Sequence, residues 1–259
     1  MLLKDKRVIV TGGASGIGRA TVLACAREGA SVVSLSTAAP ERSRVRALMA
    51  EVEALGAGRM THLQVDVSDK DAVDRGFDEA AAWLGGLDGL VNSAAIQAFK
   101  PAEAFTKDDI LQDMAVNTFG AVYTNQAAFR FMKDTGGSIV NLISYVAIGG
   151  QEMMAAYGLS KGAVIGWSHV IAKEWGPRFI RVNMVAPIVE TSGFQNYYKQ
   201  LSPEKQMLSD LRRQQTISLG GKMGSSGDAA DVNVFLLSDL SRYLTGQTLY
   251  ADGGASFSR

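Results

Sequence analysis

The stretch Arg7-Val8-Ile9-Val10-Thr11-Gly12-Gly13-Ala14-Ser15-Gly16-Ile17-Gly18 decides the fold. Arg7 to Thr11 is a short run rich in β-branched residues, as buried strands are, and a helical pattern begins as soon as the glycines end. Glycines at 12, 16 and 18 let the backbone turn sharply and come close to a pyrophosphate, whose charge then meets the unpaired N–H groups of the helix start around Ser15 and Ile17. A glycine string alone reads as a turn. Strand, glycines and helix in that order read as a dinucleotide site. The spacing is Gly-x-x-x-Gly-x-Gly rather than the commoner Gly-x-Gly-x-x-Gly.

Outward from this stretch, further runs rich in Val and Ile recur at 31–35, 60–65, 88–92, 138–143, 180–185 and 247–251. Helical patterns separate them, near 16–28, 41–55, 69–84, 106–133, 155–175 and 227–238. Apolar strands alternating with crossover helices give a doubly wound α/β sheet of seven parallel strands with helices on both faces. No Pro-rich or single-charge linker and no fixed-period repeat divides the chain, so a single domain over 1–259 is expected. The segment from about 191 to 226 fits the alternation poorly, and we expect a partly helical lid there.

Lys plus Arg equals Asp plus Glu at 26 each, so no basic excess exists to bind nucleic acid or an anionic membrane. No stretch approaches the roughly 20 apolar residues of a membrane span. Cys25 is the only cysteine and His62 and His169 the only histidines, too few for a Cys/His zinc site, so no metal is expected. A reducing, cytoplasmic setting suits this inventory. Neither histidine is given a role.

In dinucleotide sites an acid about 20 residues past the loop holds the adenine ribose. Here that position is Ser36, in Val32-Val33-Ser34-Leu35-Ser36-Thr37, and no carboxylate ends the strand to repel a 2′-phosphate. Ser36 and Thr37 offer hydroxyls to such a phosphate, and Arg42 or Arg44 offers charge. NADP(H) is therefore favoured over NAD(H).

Tyr157-Gly158-Leu159-Ser160-Lys161 places a phenol and an ammonium four residues apart, neighbours on one helix face. A free tyrosine titrates near pH ~10, and a nearby cation favours the phenolate, so Lys161 is expected to lower that value. Ser144 ends the strand Ile139 to Ile143, where its hydroxyl can hold a substrate oxygen. Asn117 is a polar amide inside the long helix, and Asn92-Ser93-Ala94-Ala95 closes the fourth strand at the ligand-binding edge of such sheets.

With these residues in order, the chain resembles the short-chain dehydrogenase/reductase family over nearly its whole length. Arg181-Val182-Asn183, Pro187 and Thr245-Gly246-Gln247 to Asp252-Gly253-Gly254 extend the resemblance. It implies a Rossmann-like fold and an NAD(P)(H)-dependent alcohol dehydrogenase or carbonyl reductase. It also implies a tetrad of Asn117, Ser144, Tyr157 and Lys161, adenine contacts from Asp66 and Val67, and cofactor contacts from Asn92, Ala94, Pro187, Ile188 and Thr191. The chain departs from the family pattern at Ser93 and Ala95, where Asn and Gly are usual. It departs again in Pro187-Ile188-Val189-Glu190-Thr191, which lacks the glycine after the proline and is one residue short.

Substrate contacts are expected from Ser144, Tyr145, Gln151, Met154, Tyr157, Phe194 and Tyr198, a mostly apolar and aromatic set that suits a medium-sized, fairly hydrophobic ketone or secondary alcohol. Two alternatives stand beside that reading. Arg130 and Lys173 are similar in position to residues by which 3-oxoacyl carrier-protein reductases dock their acidic partner. A cofactor-sensing regulator on the same fold is the non-enzyme alternative, although such proteins are expected to lose the Tyr and Lys kept here. Apolar residues around most of both long helices, Phe119, Val122, Phe129, Ile165 and Trp167 among them, together with the family's habit of pairing these helices, point to a homotetramer.

Overall fold

The computed structural model describes residues 1–256. Seven parallel strands form one sheet: β1 (Arg7–Thr11), β2 (Ser31–Ser36), β3 (Arg59–Gln64), β4 (Gly89–Asn92), β5 (Gly137–Leu142), β6 (Ile180–Pro187) and β7 (Thr248–Ala251), in the order β3-β2-β1-β4-β5-β6-β7. All seven lie within two residues of the expected runs. The winding reverses between β1 and β4, so their carboxyl ends open a crevice at the switch point.

Side chains alternate across the pleat. Val8 and Val10 face one layer, with α1 (Gly16–Arg27) and α2 (Ser43–Leu55) among its helices, while Ile9 faces the other, which includes α3 (Lys70–Leu84). Phe77 of α3 is fully buried in that second layer. Among the described residues no helix is long and apolar enough to cross a membrane.

The expected single helix over 106–133 runs unbroken but is not α throughout. It begins as α4 (Lys107–Asp113), widens into a π-turn over Met114–Phe119 and resumes as α5 (Gly120–Met132). The start behaves as its sequence demands: the Thr106 hydroxyl accepts from Asp109 N–H at 3.2 Å and the Asp109 carboxylate accepts from Thr106 N–H at 2.9 Å. The wide turn carries Asn117, consistent with the tendency of π-bulges to mark functional sites. After β5 come α6 (Val146–Gly149) and α7 (Ala155–Trp175), the latter at its expected bounds. The 191–226 region forms α8 (Ser192–Lys199) and α9 (Pro203–Thr216), followed by α10 (Ser226–Leu237).

Gly12 shows why the opening motif needs glycine. Its φ is +66°, and a Cβ there would sit 2.9 Å from both the Cα and the N of Ala94, backbone atoms that cannot swing aside. Gly18 is equally constrained, since its Cβ would strike the Gly12 carbonyl. The two loops at the head of the crevice therefore touch main chain to main chain. A Gly12→Ala chain should lose about 2 kcal/mol or more of stability, from left-handed strain plus the forced separation, measured as a lower urea midpoint at unchanged slope.

Candidate active site

Buried amides organise the floor of the crevice. Asn92 at the end of β4 donates to Asn141 Oδ1 at 2.8 Å, and its own carbonyl oxygen accepts from the Thr124 hydroxyl at 2.6 Å. Asn141 of β5 exchanges two 3.1 Å bonds with Asn125 of α5 and donates to Ser168 of α7 at 2.8 Å. Trp167 donates to the same Asn125 at 3.0 Å. Both helices are thus bonded to the sheet from within. The sequence reading singled out Asn92 but missed Asn125 and Asn141, because an amide inside an apolar run does not reveal its partners.

Asn117 is buried, and its side chain is fully engaged. Its carbonyl oxygen accepts from Ile96 N–H at 2.8 Å, while its amide donates to the Ile96 carbonyl at 2.9 Å and to Ser160 Oγ at 3.0 Å. It staples the loop after β4 to the helix pair. That loop is also held to β1, where the Thr11 hydroxyl accepts from Ser93 and Ala94 N–H at 3.2 Å each. Thr11, Val67, Asn92, Ala94, Asn117 and Lys161 line one small cavity of about 10 Å³, near the least volume that holds a water.

Tyr157 and Lys161 lie on one face of α7, with Nζ 5.7 Å from the centre of the phenol ring. Lys161 is 3% exposed and donates to the Leu142 carbonyl at 2.8 Å, so the end of β5 fixes it. Ser144 lies close enough to Tyr157 to act on its phenol, and the Ser144 hydroxyl oxygen accepts from Val146 N–H at 3.2 Å. The electrostatics differ from the expectation. Burial pushes the Tyr157 phenol up to about 12, opposed by the Ser144 hydroxyl and reinforced by Asp113, while burial pulls Lys161 down to about 8. Desolvation outweighs the attraction within the pair, so the phenol keeps its proton at neutral pH.

Asp113 escaped the sequence reading. It is 2% exposed at the end of α4, one turn before Asn117, and its Oδ2 has no hydrogen-bond partner. Its neighbour Asp109 is neutralised by Lys100 at 2.6 Å and held low, whereas burial raises Asp113 itself. The charge of Asp113 acts on both Tyr157 and Lys161 and raises each. Only its setting among charged helices gives the residue meaning.

The glycine loop fits a dinucleotide. Ser15 starts α1 without a side-chain cap and the first turn carries no acid, which leaves its amides for an anion. Gly16, at φ +53°, faces open space: a Cβ added there would meet nothing within 4 Å. Ile17 and Gly18 follow in the same first turn. On the adenine side, Ser36 Oγ accepts from Ala38 N–H at 3.2 Å, so its oxygen is partly committed, and the Thr37 carbonyl accepts from Gln64 at 3.2 Å. Asp66 is exposed and accepts from Ser68 N–H and Oγ at 2.9 and 2.7 Å, leaving its other oxygen open.

The short Pro187–Thr191 segment is pinned despite its missing glycine. Ile188 N–H donates to the Ala251 carbonyl at 2.9 Å and the Ile188 carbonyl accepts from Gly224 at 3.2 Å. Thr191 caps α8, its oxygen accepting from Phe194 N–H at 3.1 Å, which leaves its hydroxyl hydrogen and one lone pair for a ligand.

Two of the residues expected to touch substrate, Phe194 and Tyr198, make contacts within the 191–226 segment. Phe194 and Tyr198 brace α8 against α9: the Arg213 guanidinium lies 5.1 Å over each ring and the Tyr198 hydroxyl donates to Asp210 at 2.9 Å. Internal packing occupies them. Their neighbour Tyr197 instead stacks on Phe99 at 4.0 Å and 8°, joining α8 to the loop after β4. Met154 is buried beside Tyr157's helix start, while Tyr145 opens α6 and Gln151 is exposed. A cleft of about 660 Å³ between Glu190, Asp210, Arg213 and the 221–226 turn includes none of the expected site residues. Arg130 is paired with Asp74 at 3.4 Å and Asp78 at 3.2 Å.

A seven-stranded dinucleotide-type sheet with Tyr and Lys one turn apart at its crevice defines a class of oxidoreductases. Residues 12–256 match the family model described as Enoyl-(Acyl carrier protein) reductase. The chain is 35% identical to L-rhamnose 1-dehydrogenase (NAD(P)(+)) of Azotobacter vinelandii, over 98% of each chain. It is 36% identical to the 3-oxoacyl-(acyl-carrier-protein) reductase FabG of Thermotoga maritima, over 98% of this chain and 99% of that one. A solved short-chain type dehydrogenase/reductase from Mycobacterium ulcerans superposes with a TM-score of 0.89 at 30% identity, covering 98% and 91% of the two chains. The chain belongs to the short-chain dehydrogenase/reductase family and is an oxidoreductase of that family.

The Asp113 carboxyl sits above its unfolded value, so its charge penalises the fold at neutral pH, and the penalty fades as pH falls through the folded value toward the unfolded one. Asp113→Asn should therefore be more stable than the parent at pH 7, with the gain gone by about pH ~3, below the ordinary carboxylate range; urea unfolding at both pH values measures it.

Proposed function

We propose that the protein interconverts a medium-sized, fairly hydrophobic ketone and its secondary alcohol, using NADP(H) in preference to NAD(H). The observation that carries the reading is the pairing of a half-buried Tyr157 with a buried Lys161 on one face of α7, its Nζ 5.7 Å from the phenol ring, with Ser144 close enough to act on that phenol. A nicotinamide dinucleotide bound along Gly12, Ser15, Gly16, Ile17 and Gly18 supplies the hydride. Asp66, Val67, Asn92, Ala94, Pro187, Ile188 and Thr191 line its remaining length.

Tyr157 gives its proton to the carbonyl oxygen in reduction and takes it back in oxidation. A phenol held near 12 arrives protonated, which suits the acid role. Ser144 holds the same oxygen. Lys161 supplies positive charge as the phenolate forms and holds a ribose of the dinucleotide. Asn117 works through Ile96, fixing the loop that borders the small cavity through which a water can return the proton. Met154, Tyr145 and Ile188 give the substrate side its apolar character, and the segment around 191–226 acts as a lid whose Tyr197–Phe99 stack is its clasp.

The likeness to a 3-oxoacyl-(acyl-carrier-protein) reductase favours a second reading, in which the substrate is an acyl thioester. The pairing of Arg130 with two aspartates removes one of the two cations that reading needs. A panel of bulky ketones, short acyl thioesters and small keto acids, each with NADPH and NADH, separates the two. Fastest turnover is expected with a bulky ketone and NADPH; a tenfold preference for NADH, or for thioesters, overturns the corresponding half of the proposal. In the same assay Tyr157→Phe should lower kcat by roughly a thousandfold while NADPH still binds within about twofold. Unchanged activity would leave the sensor.

Leu159 and Val170 of α7 and Leu111 and Phe119 before α5 are about half exposed, at 55%, 53%, 49% and 44%. Apolar side chains shown on both helices fit a homotetramer paired across two-fold axes. Light scattering at micromolar concentration should give four times the 27.5 kDa chain mass, and a monomer refutes it.

A further inference from the structure

His62 takes no part in the proposed reaction, yet it is 4% exposed and bonded to the turn that follows β2. It sits on β3 directly opposite Ser34 of β2. Its Nε2 donates to the Ala38 carbonyl at 3.0 Å, so in the neutral ring Nδ1 accepts from the Ser34 hydroxyl at 2.9 Å. Burial lowers its pKa, and the Arg44 charge adds to that, which keeps the ring neutral and this tautomer in place.

The two partners belong to different walls of the same site. Ser34 lies directly beneath the glycine loop: a Cβ on Gly13 would strike its hydroxyl, and Gly13 N–H donates to the adjacent Leu35 carbonyl at 3.3 Å. Ala38 belongs to the turn after β2 that carries Ser36 and Thr37, and it packs in one buried cluster with Ala14 of the glycine loop and Val45 of α2. Backbone bonds hold the two ends of that turn, the Ser36 carbonyl accepting from Val65 N–H at 2.8 Å and the Ala39 carbonyl from Arg42 N–H at 3.1 Å, and its middle has few side-chain anchors. Ser36 Oγ holds Ala38 N–H within the turn itself, and the Gln64 bond to Thr37 is exposed. Beside the Ala14–Ala38 packing, the buried histidine is the polar tie between the turn and the strand beneath the glycine loop.

We propose that His62 is a positioning residue for dinucleotide selection: it holds the Ser36–Thr37 turn at a fixed height above the glycine loop, so that a 2′-phosphate on a dinucleotide seated in that loop meets both hydroxyls. The inference rests on the proposed dinucleotide site. Losing the Nε2 bond strands the Ala38 carbonyl without a partner in a buried position, and the turn shifts to recover one. Contacts to the pyrophosphate, made by the glycine loop, change little. Contacts at the adenine ribose change most.

Two polar replacements isolate the bond. Asparagine places its amide about where Nδ1 stood, keeping Ser34 but falling short of Ala38. Glutamine reaches to about the Nε2 position and can still donate to the Ala38 carbonyl. NADPH and NADH, titrated separately into the full chain and followed by nicotinamide fluorescence, report binding without any substrate. His62→Asn should raise the Kd of the dinucleotide the parent prefers, expected to be NADPH, by about five- to tenfold, and that of the other by less than twofold. His62→Gln should stay within twofold of the parent for both. Equal Kd values for parent and His62→Asn, even with a lower melting temperature, overturn the proposal by showing a merely structural histidine. So does equal loss for both dinucleotides or for both variants. A parent chain that binds neither dinucleotide overturns the proposed function itself, a distinct result.

Discussion

The rest of the structure depends on a set of amide hydrogen bonds buried between sheet and helices. Asn92, Asn125 and Asn141 satisfy one another between sheet and helices, and each leaves a bond for a further element: Thr124 and Trp167 on one side, Ser168 on the other. Such a network is stabilising only when every member is paired, which makes its geometry nearly all-or-none. It holds α5 and α7 at a fixed angle and height on β4 and β5. The positions of Asn117, Tyr157 and Lys161 follow from that attachment.

Against this rigid floor stands a group of ionisable side chains whose burial works against their charge. Desolvation raises the phenol of Tyr157, lowers the amine of Lys161 and raises the carboxyl of Asp113. Each shift moves its group toward the neutral form, and each group is held where it is by backbone or helix geometry rather than by its own solvation. The region is electrostatically strained before any ligand arrives. A positively charged nicotinamide or a developing oxyanion placed there would interact with neighbours poorly screened by water.

The 191–226 segment is governed by packing rather than by charge alone. Arg213 spreads over Phe194 and Tyr198, so those rings are spent on holding α8 to α9, while Tyr197 turns the other way onto Phe99. On an amphipathic helix, adjacent aromatics at 197 and 198 point to different sides by about 100°. Which of them faces the cleft depends on how the helix is rolled against its neighbours.

Strand–glycine–helix order and the seven apolar runs were enough to give the sheet, because buried parallel strands write their environment directly as local composition. The one-turn spacing of Tyr157 and Lys161 was equally legible, since helical periodicity is a local property. Three things were not: the sign of the tyrosine's pKa shift, the partners of Asn117 and Asn141, and the functional standing of Asp113 and His62. All of them turn on how far a side chain is removed from water and on which atoms from distant segments meet it. His62 and Ala38 are joined across a strand pair, Asp113 and Lys161 across two helices. A sequence carries the residue types of such groups, but only the packed fold decides their dielectric surroundings and hydrogen-bond partners.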